Sequence, residues 1–450
     1  MRFGRCWIGR RVLFGFAASL ALGAASAHAT PYLVVDAESD QVLMENEATA
    51  PWYPASLTKL MTVYVALDAV RSGKLTLDTP LIMSARAARM PPSKMGFRPG
   101  TEVTLDNALK MLMVKSPNDV AVMVAEGVSG SIEAFADDMN ADAQRLGLHE
   151  SHFVNPNGLH NPAHVSSARD MATIARALLR EFPDHADLFS IGALQLGRQY
   201  IPNHNGLLGR YPGADGMKTG FTCPAGFNVV ASANHSGRRL IVVVLGAPSA
   251  RTRNQEAADL FDRGFATGGG SGSPESLPPG SGAPDPHANV CQHRNAAAIA
   301  AAEDDSLAQQ AEAAAGSAGR NGVIPTPLVA LFAPVAVHTE LTNERIRFDP
   351  VPVYIGPAPG WKGPALGARR TATETAAAPG GPKIISADNS STTATTPEGD
   401  ASGPIQTTPR SKHKPARHFE KSMAAHKPAK PAQPAKSATG KLEKKDVSTN

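Results

Sequence analysis

The amino-acid composition changes at about Gly268, and this change limits how many of the 450 residues can share one hydrophobic core. Beyond it the chain runs through GGGSGS, SLPPGSG and PAKPAQPAK, where large apolar side chains are few. Such segments bury too little surface to offset the entropy lost on ordering. We therefore expect one folded domain over residues 30–267. After it we expect a Gly-, Pro- and Ala-rich linker (268–320), a short apolar segment interrupted by prolines (321–366) and a disordered basic tail (367–450).

The first 29 residues have the pattern of an export signal. Four arginines precede a short apolar stretch, Val12–Ala25, and Ala27-His28-Ala29 supplies the small residues of a cleavage site. We expect a mature chain that begins at Thr30 and works in the cell envelope, in the periplasm. The alternative is a membrane anchor, but the apolar stretch is shorter than the ~20 residues of a bilayer span. The Arg10-Arg11 pair leaves both Sec and twin-arginine export open.

The end of the tail is strongly basic. Between Arg410 and Asn450, eleven Lys or Arg residues against three acidic residues give a net charge of +8. Aromatic residues do not interleave with these lysines, so we do not expect a nucleic acid partner. A solvated basic arm on an exported chain favours weak binding to anionic envelope polymers or lipids.

Apolar periodicity within residues 30–267 predicts an α+β fold. Two short alternating runs, Tyr32–Val35 and Gln41–Met44, are typical of a hairpin. The later predictions, in chain order, are helices beginning at about Ser56, Thr104, Asp119, Ser131 and Ser167, strands over Gly216–Thr222, Gly226–Ala233 and Arg239–Gly246, and a helix over Asn254–Ala266. Strands at both ends around a helical middle predict an antiparallel sheet flanked by helices, with a helical subdomain.

Three short motifs lie in order within this domain. They are Ser56-Leu57-Thr58-Lys59, Ser116-Pro117-Asn118 and Lys218-Thr219-Gly220. Further matches to the first two patterns begin at Ser232, Ser411 and Ser448, but these lie in a predicted strand or in the tail. The ordered set falls on a helix start, an interhelical loop and a strand, and it is far more specific than any one motif.

These residue types suit acyl transfer. Ser56 and Lys59 lie one helical turn apart, so their side chains share a face. A serine hydroxyl needs a base to become a nucleophile, and a lysine that is partly dehydrated among other cations can supply it. The N-terminus of a helix also favours a developing oxyanion. Lys218 and Thr219 offer a cation and a hydroxyl for a terminal carboxylate, and Gly220 leaves room for an extended substrate beside the strand.

This motif set is shared by penicillin-binding proteins and class A β-lactamases. From about Tyr32 to Ala266 the chain resembles the low-molecular-mass D-alanyl-D-alanine carboxypeptidases, serine peptidases of peptidoglycan. The resemblance extends to the segments YPASLTKLMT, VKSPNDVAVMVAE, FVNPNGLHNPAH, SARDMA and DGMKTGFTCPAGFNVV. It implies a penicillin-binding transpeptidase-like (serine β-lactamase-like) fold, stem peptides ending in D-Ala-D-Ala as substrates, covalent binding of β-lactams and no cofactor.

The resemblance also implies residue roles. Ser56 would be the acyl-ester nucleophile, Lys59 its proton acceptor and Ser116 a proton shuttle. Asn118 would anchor the substrate amide, and Lys218 with Thr219 would bind the carboxylate. The backbone N–H groups of Ser56 and Phe221 would form the oxyanion hole. Pro117 and Val120 depart from the smaller residues common in the family, and we expect no β-rich second domain or amphipathic anchor helix after the peptidase domain.

Three other functions use parts of the same pattern. A β-lactamase needs a carboxylate-bearing loop to activate the deacylating water, and no such segment occurs between Gly130 and Lys218. A DD-endopeptidase would use the same residues, so it remains an alternative. A catalytically silent peptidoglycan-binding protein is the third, and the complete motif set argues against it.

Cysteines and histidines give weaker signals. Cys223 and Cys291 form a disulfide or stay as two free thiols, and the sequence leaves both open. His152, His160 and His164 lie in a segment rich in Asn and Pro without a zinc-binding pattern. We expect them to be histidines of a surface loop and no metal site. We also expect a chain cut after Gly268 to hydrolyse small peptides normally.

Overall fold

The computed structural model describes residues 30–284, 289–291, 339, 341 and 345–368. The elements are numbered in chain order. The α-helices within these residues are α1 Thr58–Arg71, α2 Ala85–Ala88, α3 Leu105–Val114, α4 Asn118–Ser129, α5 Ile132–Arg145, α6 Ala168–Glu181 and α7 Ala250–Ala266. The strands are β1 Tyr32–Asp36, β2 Val42–Asn46, β3 Pro80–Ile82, β4 Glu102–Thr104, β5 Ala193–Leu196, β6 Gln199–Pro202, β7 Ala214–Thr222, β8 Gly226–His235, β9 Arg238–Ala247 and β10 Val351–Val353.

The central sheet has the strand order β2-β1-β9-β8-β7, and its neighbouring strands are antiparallel. Successive side chains of a strand point to opposite faces, so each strand contributes to two cores. Val34 and Val242 pack on the face covered by α7, whereas Leu33 and Val243 pack on the face covered by the other helices. The sheet is thus buried on both sides, as the predicted α+β arrangement requires.

The helix starts follow from side-chain caps. Thr104 and Ser131 accept hydrogen bonds from the backbone N–H of Asn107 and Ala134, which satisfies donors that the first turn leaves open. Ser167 caps α6 in the same way. The helices predicted at these three positions are therefore confirmed. None of the helices that the structure describes has the length and apolarity needed to cross a membrane.

Residues beyond Gly268, where the composition changes, also make contacts with the domain. The backbone N–H of Ser271 donates to the carbonyl of Val42 at 3.0 Å, and that of Gly280 donates to the Glu150 carboxylate at 3.0 Å. Later, β10 pairs in parallel with β5 at the edge of the three-stranded sheet β10-β5-β6. Backbone pairing of this kind needs few apolar side chains, which is why composition does not reveal it. The residues expected to form an export signal, most of the linker and all but the first two residues of the basic tail lie outside the described residues.

Candidate active site

The residue expected to be the nucleophile lies on a turn held from two sides. Ser56 belongs to a 3-10 turn, Ala55–Leu57, that leads directly into α1. From β8, the buried Asn228 side chain donates to the carbonyls of Tyr53 at 2.9 Å and Pro54 at 3.3 Å. From the loop after α5, Gly158 approaches so closely that a Cβ on it would lie 1.8 Å from the Ala55 carbonyl oxygen. The turn therefore has a fixed position relative to the sheet.

Lys59 is fully buried directly behind Ser56. Its Nζ donates to Ser56 Oγ at 2.9 Å, to Asn118 Oδ1 at 2.9 Å and to the Asn157 carbonyl at 2.7 Å. An amine with these contacts is within reach of the hydroxyl proton that a base must remove. The predicted pairing of Ser56 with Lys59 on one helical face is thus present, with Asn118 as a third member.

The second motif forms the turn between α3 and α4. Ser116 has a positive φ of 59°, and its buried Oγ has no hydrogen-bond partner within the described residues. Asn118 is fixed by its side-chain amide, which donates to the carbonyls of Pro91 and Pro92, each at 3.1 Å. The Asp119 carboxylate accepts the N–H groups of Met95 and Gly96 and so fixes the loop above the turn.

The third motif lies on β7, the edge strand beside the turn. Thr219 and Phe221 face the cleft, as alternation along a strand requires. Lys218 lies behind them, 2% exposed, and its Nζ donates to the Thr219 carbonyl at 2.6 Å. The role expected for Lys218 in direct carboxylate binding stays a prediction.

Gly220 lies against the turn that bears Ser56. A Cβ on Gly220 would lie 2.9 Å from the Pro54 carbonyl oxygen and 3.0 Å from the Ser56 nitrogen. The glycine therefore makes room for the turn that bears Ser56, and the expectation that it also leaves room for an extended substrate stays a prediction. Sequence reasoning missed this because the contact joins residues far apart in the chain.

These elements surround a cleft of about 430 Å³. No carboxylate side chain lies among the described residues that line it, while Lys94 and Lys115 do. This wall favours a substrate with a negatively charged end. The lining residues are Ser56, Pro92, Ser93, Lys94, Lys115, Ser116, Asn118, Asn157, Gly158, Leu159, His204, Thr219, Phe221 and Thr222.

Nine of these fourteen lining residues were not among the predicted site residues, and Asn157 and His204 show why. Asn157 accepts a hydrogen bond from Lys59 through its backbone carbonyl, so its side-chain identity carried no signal. His204 lies on the loop between β6 and β7, and a single histidine among asparagines has no spacing that would mark it as a site residue.

One histidine prediction is wrong. His152 and His160 are exposed, but His164 is buried, 2% exposed. Its Nδ1 accepts from the Val154 N–H at 3.1 Å, so its Nε2 carries the proton and donates to Thr58 Oγ1 at 2.8 Å. Burial, with the positive charge of His152 and His160, lowers the pKa of His164 to about 3. His164 is a neutral support for α1. No group of three or more His, Cys, Asp or Glu suited to a metal occurs in the described part of the chain.

A disulfide ties residues 289–291 to the chain just after β7. Cys223 and Cys291 are bonded to each other, which decides the question that the sequence left open. Beside the bond, the N–H of Val290 donates to the Cys223 carbonyl at 3.1 Å. Residues 289–291 are thereby tied next to Thr222, which lines the cleft.

The family model described as D-alanyl-D-alanine carboxypeptidase (peptidase S11) matches residues 18–249, about half of the chain. The chain is 38% identical over 243 residues to D-alanyl-D-alanine carboxypeptidase DacA of Haemophilus influenzae, covering 53% of this chain and 62% of that protein. It is 33% identical over 250 residues to D-alanyl-D-alanine carboxypeptidase DacB2 of Mycobacterium tuberculosis, covering 53% of this chain and 82% of that protein.

The fold has a counterpart among solved structures. The crystal structure of penicillin binding protein 6B from Escherichia coli is similar with a TM-score of 0.51 and 36% identity, covering 53% of this chain and 77% of that one. The predicted transpeptidase-like fold is confirmed. The chain spans less than two thirds of the length of the Haemophilus relative.

Proposed function

This chain belongs to the peptidase S11 family of D-alanyl-D-alanine carboxypeptidases, and on that premise we propose that it removes the terminal D-alanine from peptidoglycan stem peptides. The observation that carries the proposal is the buried Lys59 Nζ within 2.9 Å of both Ser56 Oγ and Asn118 Oδ1, at the floor of a cleft whose described lining residues include no carboxylate. Penicillin, which resembles the acyl-D-Ala-D-Ala end, acylates the same serine.

Acylation follows from these contacts. Lys59 accepts the Ser56 hydroxyl proton while Oγ attacks the carbonyl carbon between the two D-alanines. The N–H groups of Ser56 and Phe221 stabilise the oxyanion of the tetrahedral intermediate. As the carbon–nitrogen bond breaks, Ser116 Oγ relays a proton from Lys59 to the departing amine. D-Alanine leaves, and the rest of the peptide stays as an ester on Ser56.

Recognition of the free carboxylate falls to the β7 side of the cleft. The Thr219 hydroxyl contacts the carboxylate directly, and the positive charge of Lys218 stabilises it from behind the strand. The Asn118 amide holds the substrate backbone. Lys94 and Lys115 attract the anionic end of the peptide toward the cleft.

Deacylation uses water and the same base, and it restores the hydroxyl of Ser56 with release of a peptide shorter by one D-alanine. A β-lactamase would need a carboxylate beside the ester. Among the described lining residues there is none, so we infer a long-lived penicilloyl-enzyme whose tethered leaving group blocks water.

The test combines two measurements on the full chain. A peptide ending in Lys-D-Ala-D-Ala is incubated with the protein, and mass spectrometry should find loss of one alanine. Benzylpenicillin should add its full mass to one tryptic peptide, the one that contains Ser56. Turnover without a Ser56 adduct, or an adduct on another residue, would refute the proposed nucleophile.

We further propose that the protein works in the periplasm and that its basic tail binds anionic envelope polymers or lipid headgroups. The support is the N-terminal signal pattern and the net charge of +8 over residues 410–450. The tail would keep the enzyme near its substrate through many weak contacts.

A further inference from the structure

Arg345 is the first residue of the segment 345–368, which we call the returning segment. All three nitrogens of its guanidinium donate hydrogen bonds to backbone carbonyls. Nε donates to the Leu208 carbonyl at 2.9 Å, Nη1 to that of Asn203 at 2.8 Å and Nη2 to that of Asn205 at 2.9 Å. Burial lowers the pKa of Arg345 to about 10, so the group stays charged at neutral pH. Removing a charge from water is costly, and these three charge-assisted hydrogen bonds offset that cost.

The domain is shaped to accept this segment. The Phe348 ring fills the space where Gly192 and Gly209 have no side chain, and a Cβ on Gly192 would lie 2.0 Å from the ring. The Arg345 guanidinium lies 5.6 Å from the same ring centroid. The N–H of Ile346 donates to the Gly209 carbonyl at 3.1 Å. The Arg345 guanidinium, the Phe348 ring and the Ile346 N–H thus hold one loop, residues 203–209.

This loop is a wall of the cleft. His204, which lines the cleft, lies between two of the carbonyls that Arg345 binds. The Asn205 side-chain amide donates to the Gly216 carbonyl of β7 at 2.8 Å, two residues before Lys218. On its other side, the His204 N–H donates to the Val114 carbonyl at 3.4 Å, two residues before Ser116. The loop therefore joins the strand of the third motif to the turn of the second.

We propose that Arg345 is a positioning residue of the active site: by holding residues 203–209 it fixes the cleft wall beside the carboxylate subsite. The proposal deepens the proposed function and rests on it for the identity of that subsite. It assigns a role in the peptidase domain to a residue that lies beyond the composition change. It also replaces the expectation that a chain cut after Gly268 is fully active.

The expected kinetic signature is specific. In this proposal the wall lies beside the part of the substrate that leaves as D-alanine. Displacing the wall should therefore affect substrate binding and acylation, and not the later attack of water on the ester. We expect Arg345→Gln to lower the second-order rate of acylation by penicillin roughly tenfold to a hundredfold, the usual cost of a misplaced wall. KM for the D-Ala-D-Ala peptide should rise by more than kcat falls, and the deacylation rate should not change.

The matched control is Arg347→Gln in the full chain. Arg347 has the same charge, is exposed and lies over the Tyr200 ring at 5.4 Å, so its loss should leave acylation unchanged. Arg345→Lys keeps the charge but replaces three donor nitrogens by one. Its acylation rate should therefore lie between those of the wild type and Arg345→Gln. If Arg345→Gln does not fold, Arg345→Lys and Phe348→Leu provide the same test.

Hydrogen exchange of the backbone amides of residues 203–209 measures how firmly the wall is held, and it needs no substrate. Faster exchange in the Arg345 variants, with wild-type exchange in Arg347→Gln, supports the proposal. Exchange and acylation equal to the wild type in both Arg345 variants would overturn it, as would equal losses in Arg347→Gln. A lower melting temperature with intact KM and acylation would also overturn it, because that is a purely structural role. Failure of the wild type itself to react with penicillin would refute the proposed function, and the exchange rates would still decide the role of Arg345.

Discussion

Gly220 and Ser56 are so close that a Cβ on the glycine would lie 3.0 Å from the serine backbone nitrogen. The other atoms around this position are the Pro54 carbonyl oxygen at 2.9 Å and the Leu57 nitrogen at 3.0 Å. These atoms belong to the backbone of a fixed turn and cannot rotate away as a side chain could. The distance from β7 to the nucleophile is therefore set by the absence of one methyl group.

Gly220→Ala should slow acylation because β7 must move away from the turn by a few tenths of an ångström. The two N–H groups of the proposed oxyanion hole, those of Ser56 and Phe221, lie on opposite sides of this contact, so both should shift relative to the substrate. We expect a loss of roughly tenfold or more in the acylation rate, measured by stopped-flow with a fluorescent penicillin. Gly268→Ala is the control, since no atom lies within 4 Å of its Cβ position. Normal acylation of Gly220→Ala would contradict this account.

Lys59→Ala should remove acylation while the domain stays folded. The lost proton transfer should cost ~10²–10⁴-fold in rate. The buried Asn118 Oδ1 and Asn157 carbonyl lose a donor, so the free energy of unfolding should fall by about 1–3 kcal/mol for each unsatisfied group. Intact-mass spectrometry with penicillin measures the first effect and urea unfolding the second. Lys74→Ala, an exposed lysine just after α1, should behave as the wild type. Near-normal acylation of Lys59→Ala would assign the base role to another group.

His164 should make the protein less stable as the pH falls below 6.5. Its pKa is about 3 in the folded state and about 6.5 when unfolded, so between these values the unfolded chain binds more protons. The free energy of unfolding therefore decreases on acidification, and His164 contributes about 1.4 kcal/mol per pH unit in this window. Urea unfolding at pH 7, 6 and 5 should give a flatter dependence for His164→Asn. His149→Asn, at an exposed position, should keep the wild-type slope. Equal slopes in all three proteins would mean that His164 is protonated in the fold.

The disulfide should stabilise the domain without acting in the chemistry. It closes a sequence separation of 68 residues, and a crosslink of that length constrains the unfolded chain by about 4 kcal/mol. Reduction should lower the free energy of unfolding by up to this amount, and Cys223→Ser/Cys291→Ser should be insensitive to reductant. Alkylation of the unreduced protein followed by peptide mapping checks the pairing. Labelling of both cysteines under those conditions would show that the bond is absent.

Removal of residues 369–450 should separate catalysis from wall attachment. This cut leaves the returning segment in place, so turnover of a small peptide should equal that of the full chain. Sedimentation with isolated sacculi should decrease, and the difference should shrink with added salt because charge contacts are screened over ~8 Å at physiological ionic strength. Charge-neutral substitution of the tail lysines is the matched control. Higher peptide turnover after the cut would instead indicate a tail that covers the cleft, and unchanged sedimentation would end the attachment proposal.

The motif residues could be predicted because local rules place them. Ser56 and Lys59 are joined by helical spacing, and Thr219 and Phe221 by strand alternation. Asn157 and His204 could not be predicted, since they reach the site through loops whose course no periodicity encodes. Arg345 could not be predicted for a related reason. Its partners are backbone carbonyls 137 to 142 residues earlier in the chain, and any sequence supplies carbonyls.

The fold class could be predicted where apolar side chains are frequent. The Val-rich strands and capped helices before Gly268 carry the signal that an apolar core requires, and they lie where expected. The returning segment has its contacts in one buried arginine, one ring and a row of backbone hydrogen bonds. The average composition of a sequence segment changes little when so few of its residues make the contacts.

The position of the returning segment also has a consequence in time. A polypeptide is made from its N-terminus, so all three motifs emerge from the ribosome long before Arg345, which follows Asn203 by 142 residues. Contacts between residues so far apart form slowly and only once both are present. During synthesis the protein therefore passes through a stage at which Ser56 and Lys59 are already in the chain and the loop around His204 lacks the three hydrogen bonds of Arg345. A ribosome that stopped near Gly268 would release a polypeptide with every motif and a cleft wall held by its bonds to β7 and Val114 but without those of Arg345.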